Sequence, residues 1–208
     1  MMIKSFIVGM VSTNCYVLHQ EGSNECILID PGEISMELTG YLADHKLQIT
    51  AILLTHGHFD HIIGVPKLRS LYTIPVYAGS EEQKLLMDPH LNKTAVYGGA
   101  IALEDCVYVA DQDVITLAGF KVRVIHTPGH TIGSVCYYLE EEHVLFTGDT
   151  LFREEVGRTD LPTGNYQQLL SSLQEVLMLL PDETKVYPGH ERDSSIGHER
   201  HYNPYVSM

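Results

Sequence analysis

Five apolar, strand-like runs in this chain end in aspartate or histidine. They are ILIDPG at Asp30, AILLTHGH at His56 and His58, VRVIHTPGH at His126 and His130, VLFTGD at Asp149, and KVYPGH at His190. Open α/β sheets build their sites by delivering polar residues at the C-terminal ends of strands. The recurrence therefore predicts a layered α/β fold in which several strand ends converge, and it points to two βα halves facing one another.

The rest of the chain is consistent with that frame. Strands are expected at 2–8, 14–20, 25–30, 49–55, 74–77, 106–109, 113–117, 120–126, 134–139 and 143–147, with a last one ending at His190. Helices are expected at 33–46, after the Pro31-Gly32 turn, at 61–72 and at 80–87. The clearest amphipathic helix is 166–180, with Leu169, Leu170, Leu173, Val176, Leu177 and Leu180 on one stripe. Residues 88–105 have no clean period and read as a surface loop or lid. No low-complexity linker divides the chain, which reads as a single domain over 1–208.

The run THGHFDH carries His56, His58, Asp60 and His61 within six positions. A tight turn after a strand aims alternate residues at one point, which suits His56 and His58. Asp60 and His61 then stand at the start of the following helix, placed for a second point nearby. A single zinc takes about four ligands, but adjacent Asp60 and His61 are poorly placed to share one ion with both His56 and His58. Two ions are the simpler reading, with further ligands drawn from His130, Asp149 and His190. Each of these follows a strand and sits beside a glycine, which lets the backbone approach a crowded centre. His126, at the end of its strand, is expected to support His130 rather than to ligate.

Charge narrows the partners. Thirteen Lys and Arg against 27 acids give a net charge of −14, which repels phosphate backbones and anionic lipid. No nucleic acid and no membrane is expected as a partner, and bound divalent cations would cancel part of the charge. No apolar run approaches the ~20 residues that span a bilayer. Cys15, Cys26 and Cys136 lie in apolar strand-like runs and Cys106 stands alone, which reads as reduced thiols in a cytoplasmic protein.

THGHFDH, HTPGHT, GDTLF and YPGH, in this order, resemble the metallo-β-lactamase superfamily, and within it the small glyoxalase II-like (hydroxyacylglutathione hydrolase-like) hydrolases. The resemblance implies a four-layer αββα sandwich of two mixed β-sheets flanked by helices, with metals at one edge. It implies one metal on His56, His58 and His130, a second on Asp60, His61 and His190, and Asp149 as the bridge. Zinc is the first expectation, and iron or manganese suit the same donors. Two such dications ~3.5–4 Å apart share a hydroxide, with Asp60 and Asp149 as the carboxylates that serve it, and the hydroxide attacks a carbonyl. Asp30 is expected to steady the turn at His56.

The reaction implied is hydrolysis of a small-molecule thioester or ester, such as an acyl-glutathione. Full-length glyoxalase II enzymes carry a further C-terminal helical region with basic residues that helps to bind glutathione. Only 18 residues follow His190 here, and Arg192, Arg200 and Tyr202 are the candidates for a reduced site. Arg158, in REEVGRTDLP, either binds a substrate carboxylate through its planar fork or pairs with Glu154, Glu155 or Asp160. A GRTD run also occurs in persulfide dioxygenases, which would use a single iron on His56, His130 and Asp149. Lactonase activity shares the two-metal site, and a non-catalytic metal-binding module is the reading furthest from these.

Overall fold

The structure, a computed structural model, describes residues 1–206. The first half of the chain runs β1 (Met2–Val8), β2 (Thr13–His19), β3 (Glu25–Ile29), α1 (Met36–Asp44) and β4 (Gln48–Leu53). It continues through α2 (Phe59–Ile62), α3 (Val65–Leu71), β5 (Val76–Gly79), α4 (Gln83–Met87), α5 (Thr94–Tyr97) and β6 (Val107–Val109). The second half begins with β7 (Val114–Leu117), β8 (Phe120–His126), β9 (Val135–Leu139) and β10 (Val144–Gly148). A small hairpin of β11 (Leu151–Phe152) and β12 (Glu155–Val156) follows, then α6 (Tyr166–Ser171), β13 (Lys185–Pro188), β14 (Ser194–Ser195) and α7 (Ile196–Tyr202).

Each half builds one mixed sheet. The first has the order β1-β2-β3-β4-β5-β6, antiparallel across β1 to β3 and parallel from β3 onward. The second has the order β14-β13-β10-β9-β8-β7, with a single parallel pair, β10 with β13.

The period of two along each central strand sorts side chains between layers. Tyr16, Leu18, Ile27 and Ile29 of the first sheet meet Val122, Val124, Val135, Tyr137, Val144 and Phe146 of the second. On its other face the first sheet packs Cys15, Val17, Cys26 and Leu28 beneath Leu38, Ile62, Val65 and Leu68 of the helices. Cys136, Tyr138 and Leu145 of the second sheet pack on Leu169, Leu173 and Leu177. Three apolar interfaces make four layers, the αββα sandwich of the expectation.

The helices depart from it in detail. The stretch 61–72 is two short helices, α2 and α3, broken at Gly64. There the amide donates to the Pro31 carbonyl at 2.9 Å, and a Cβ would lie 2.4 Å from that oxygen. The stretch 166–180 stays α-helical only to Ser171, widens over Ser172–Val176 and tightens over Leu177–Leu179. Of its apolar stripe, Leu169, Leu173, Leu177 and Leu180 are nonetheless buried, with Leu170 and Val176 half-buried against them. Residues 88–105 are mainly irregular but contain α5, ordered by buried Asn92 and Thr94, whose side chains bond each other and the Ile101 carbonyl. The C-terminal α7 was not expected. Ser195 caps it, accepting the His198 amide at 3.1 Å. No helix among the described residues is long and apolar enough to cross a membrane.

Candidate metal centre

The strand ends that carry His or Asp do converge. Asp30 turns the chain after β3 in a left-handed conformation, φ +51°. Its Oδ1 accepts the Thr55 amide at 2.8 Å and its Oδ2 the Thr55 hydroxyl at 2.7 Å. With its proton given to Asp30, the Thr55 oxygen faces His56 Nδ1 at 3.2 Å as an acceptor. His56 therefore keeps its proton on Nδ1 and presents a lone pair at Nε2. The same Asp30 Oδ2 lies 3.0 Å from His61 Nδ1. The expected support of the His56 turn is present, and it extends to His61.

His130 is oriented in the same way. Its Nδ1 donates to the Arg158 carbonyl at 2.7 Å, which leaves Nε2 as the lone pair, 2.9 Å from His58 Nδ1. His56, His58 and His130 are buried and offer donor atoms within 4.8 Å of one another. Asp60, His61 and His190 form a second such group, and His56, His61 and Asp149 a third that joins them. Asp149 lies between: its Oδ2 is 3.6 Å from His130 Nε2 and 3.5 Å from His190 Nε2, and its Oδ1 is 3.4 Å from His61 Nε2. Asp60 Oδ2 stands 3.2 Å from His190 Nε2 and 3.3 Å from His61 Nε2.

The crowding needs glycine at one point in particular. A Cβ at Gly189 would sit 2.2 Å from Asp149 Oδ1 and 2.9 Å from His61 Cε1. The loop holding His190 is fixed from the other sheet. The Asn14 amide donates to the Gly189 carbonyl at 2.7 Å, its side chain to the carbonyls of Pro188 and Glu191, and the Tyr16 hydroxyl to Pro188 at 2.7 Å.

Electrostatics divides the cluster. Burial, reinforced by neighbouring histidines, pushes His56 well below the usual imidazole range and His58 down to about 3. Burial also lowers His130, against the pull of Asp149. In the other group burial pushes the same way, but the carboxylates overcome it. Asp60, Asp30 and Asp149 carry His61 well above its ordinary value, and hydrogen bonds to Asp149 and Asp60 lift His190 to about 10. Burial raises Asp60 and Asp149, yet the nearby charges of His61 and His190 hold both well below the carboxylate range. The thiols take no part: burial pushes Cys26 and Cys136 up to about 12.

The donor set fits metal ions. His56 Nε2, His61 Nε2 and Asp149 Oδ1 are buried with no hydrogen-bond partner, and buried polar atoms are left unpaired only where something else satisfies them. Imidazole and carboxylate donors in this mixture suit zinc, iron or manganese.

Outside the cluster, the sequence candidates fare differently. His126 bonds the Ile132 carbonyl at 2.9 Å, bracing the loop of His130 as expected without joining the donors. Arg158 pairs through both guanidinium arms with Asp160, at 2.7 and 2.8 Å, and both side chains are exposed. Arg200 is taken up by the fold, donating to the carbonyls of Met178 and Leu180 at 2.6 and 2.9 Å. Tyr202 is exposed and stacks on His198 with centroids 4.8 Å apart. Among the described residues no hydrogen bond or ring contact joins it to the cluster. Arg192 is exposed two residues past His190. Two supporting residues went unread in the sequence. Thr13 donates to Asp60 Oδ2 at 2.8 Å, and a fully buried Glu82 bonds both histidine-bearing loops of the first group. Neither lies in a motif, and burial alone reveals them.

A His/Asp cluster able to hold metal ions at one edge of a paired-sheet sandwich is the arrangement of the metallo-hydrolase class. The chain belongs to the metallo-beta-lactamase superfamily, whose family model matches residues 8–190. It is 31% identical over 210 residues to hydroxyacylglutathione hydrolase GloC of Haemophilus influenzae, covering 100% of this chain and 99% of that one. Among solved structures it is similar to the BLEG-1 B3 metallo-beta-lactamase, with TM-score 0.92, 38% identity and full coverage of both chains. TTHA1623 in a di-iron-bound form aligns with TM-score 0.85 and 33% identity over 98% of this chain and 100% of its own. ETHE1 from Myxococcus xanthus aligns with TM-score 0.79 and 32% identity over 100% of this chain and 85% of its own. The likeness is to the small glyoxalase II-like metallo-hydrolases that the motifs resemble.

Proposed function

We propose that the chain is a two-metal hydrolase of acyl-thiol esters, an acyl-glutathione or a related acyl-thiol. One metal is held by His56, His58 and His130, the other by Asp60, His61 and His190, with Asp149 shared. The observation that carries the reading is Asp149, one carboxylate that faces donors of both groups, His130 at 3.6 Å and His190 at 3.5 Å. Dications held there would supply a bound water of pKa lowered toward ~7 and a Lewis acid for a carbonyl oxygen.

The chain's own residues prepare that chemistry. Thr55 and the Arg158 carbonyl fix the tautomers of His56 and His130, so their lone pairs point inward. Asp30 and Thr13 hold His61 and Asp60. A leaving thiolate, with an ordinary pKa of ~8.5, departs without a general acid, which matches a cluster whose carboxylates are held ionised. Arg158 touches the first group through its backbone carbonyl, which accepts from His130 Nδ1 at 2.7 Å. Its exposed pair with Asp160 is weakly held, so a substrate carboxylate can replace Asp160. Arg158→Ala would then raise KM for a carboxylate-bearing substrate alone, and an equal effect on an uncharged ester would remove that role.

Likeness to ETHE1 supports a second reading, the single-iron dioxygenase on His56, His130 and Asp149. It leaves Asp60, His61 and His190, an equally converged set, without a task. The test is a substrate panel on metal-loaded protein: acyl-glutathione, acyl-CoA, a lactone, a β-lactam, and glutathione persulfide with oxygen. Thioester turnover above the lactone and β-lactam is the expected result. Oxygen uptake with persulfide and no thioester turnover would overturn it.

A further inference from the structure

The turn between β5 and α4 carries a carboxylate that the chemistry above does not use. Glu82 is fully buried, and among the described residues no Lys, Arg or His pairs with it. A buried carboxylate without a cation is costly unless hydrogen bonds satisfy it. Here three do. Oε1 accepts the Gly57 amide at 2.8 Å, while Oε2 accepts the Gly133 amide at 2.9 Å and the Thr131 hydroxyl at 3.0 Å.

The partners are what matter. Gly57 separates His56 from His58, and Thr131 and Gly133 follow His130. The first loop leaves β4 of one sheet; the second joins β8 to β9 of the other. One side chain thus bonds both loops that carry the three histidines of the first group. We propose that Glu82 is a positioning residue for the first metal, setting the spacing of His56 and His58 against His130 and with it the affinity of that site. The proposal rests on the metal reading of the cluster and is independent of the substrate.

Glu82→Gln separates this role from simple stapling of the fold. Glutamine keeps the shape, but each carboxylate oxygen faces at least one backbone N–H. Its NH2 group must therefore confront a donor in either orientation. The Thr131 hydroxyl can turn to Ser134, 2.7 Å away; the two amides cannot turn. Zinc affinity is measured by chelator competition on wild type and variant, with the absorption spectrum of the cobalt-loaded proteins as a second readout. The variant is expected to lose affinity at one site, on the order of 10–100-fold, with the other unchanged and the cobalt bands of one site altered.

Glu199→Gln serves as the matched control. Glu199 is also fully buried and accepts from the Glu154 amide at 2.8 Å and Asn203 Nδ2 at 2.9 Å, tying the small hairpin to α7. It should lower stability without changing either zinc affinity. Two sites in Glu82→Gln with affinities within about twofold of wild type, or equal weakening in both variants, would overturn the proposal. Failure of the wild type to bind two ions would instead overturn the metal reading. Should Glu82→Gln not fold, Thr131→Val deletes one of the three bonds and keeps the carboxylate. A several-fold weaker first site is then expected, and unchanged affinity overturns the role.

Discussion

The His56, His58 and His130 pocket and the Asp60, His61 and His190 pocket lie side by side and share Asp149, yet they are prepared for a cation in different ways. In the first, burial among other imidazoles disfavours the charged form, and His58 falls to about 3. These rings stand neutral, two of them with the outer nitrogen committed to an acceptor, Thr55 for His56 and Arg158 for His130. In the second, carboxylates hold the rings charged, and His190 is lifted to about 10. The metal-free first pocket is a set of neutral rings, with His58 Nδ1 and His130 Nε2 sharing one proton at 2.9 Å; the second is a set of charged rings among carboxylates. A dication entering the first meets neutral rings that need release no net proton to bind it, whereas one entering the second must displace protons. At neutral pH the first pocket is expected to fill first.

The comparison breaks most severely at the shared residue. Asp149→Ala should lower bound metal and cut thioester hydrolysis by on the order of 10³-fold or more, because several kcal/mol of metal-derived stabilisation go with the ions. Metal content by elemental analysis beside turnover checks it, and full activity with two metals would end the bridging role. The pH dependence of binding is the next largest effect. Each proton displaced from the second pocket makes its zinc affinity rise about tenfold per pH unit. The rise should continue until pH approaches the His190 value of about 10. The first pocket, already deprotonated, should stay flat through neutral and alkaline pH. Calorimetry in buffers of different ionisation enthalpy counts the protons; equal release from both pockets would erase the distinction. The smallest effect is expected from Thr13→Val, which removes one hydroxyl bond to Asp60 Oδ2. A net hydrogen bond contributes about 0.5–1.5 kcal/mol, so the second ion should bind up to about tenfold more weakly, with the first untouched.

How much of this was legible in the sequence follows from where each residue sits. His56, His58, Asp60, His61, His130, Asp149 and His190 stand in short motifs at strand ends, so local spacing and the family resemblance sufficed to expect that they converge, as they do. The four layers were implied by the family resemblance; the structure gives their physical basis, since alternation along β2, β3 and β9 sends odd and even residues to different cores. The continuity of helices was not legible. The stripe from Leu169 to Leu180 is buried equally well by an α, a wider or a tighter turn, so periodicity could not show the change after Ser171. The break at Gly64 depends on the Pro31 carbonyl, contributed by a different strand end. The supporting residues were hidden for a related reason: Thr13 lies 47 positions from Asp60, and Glu82 reads as one more acid in an acidic chain until its burial is known. Arg158 was left between two readings; the structure shows its ion pair with Asp160 and, unforeseen, its carbonyl on His130.

The central claim is that two ions held by seven side chains serve a hydrolysis. The most direct measurement loads the protein with zinc alone, counts the ions, and assays an acyl-glutathione thioester without oxygen. Two zinc ions per chain with steady release of free thiol is the predicted result. One ion per chain, with no thiol released until iron, oxygen and a persulfide are supplied, would contradict it.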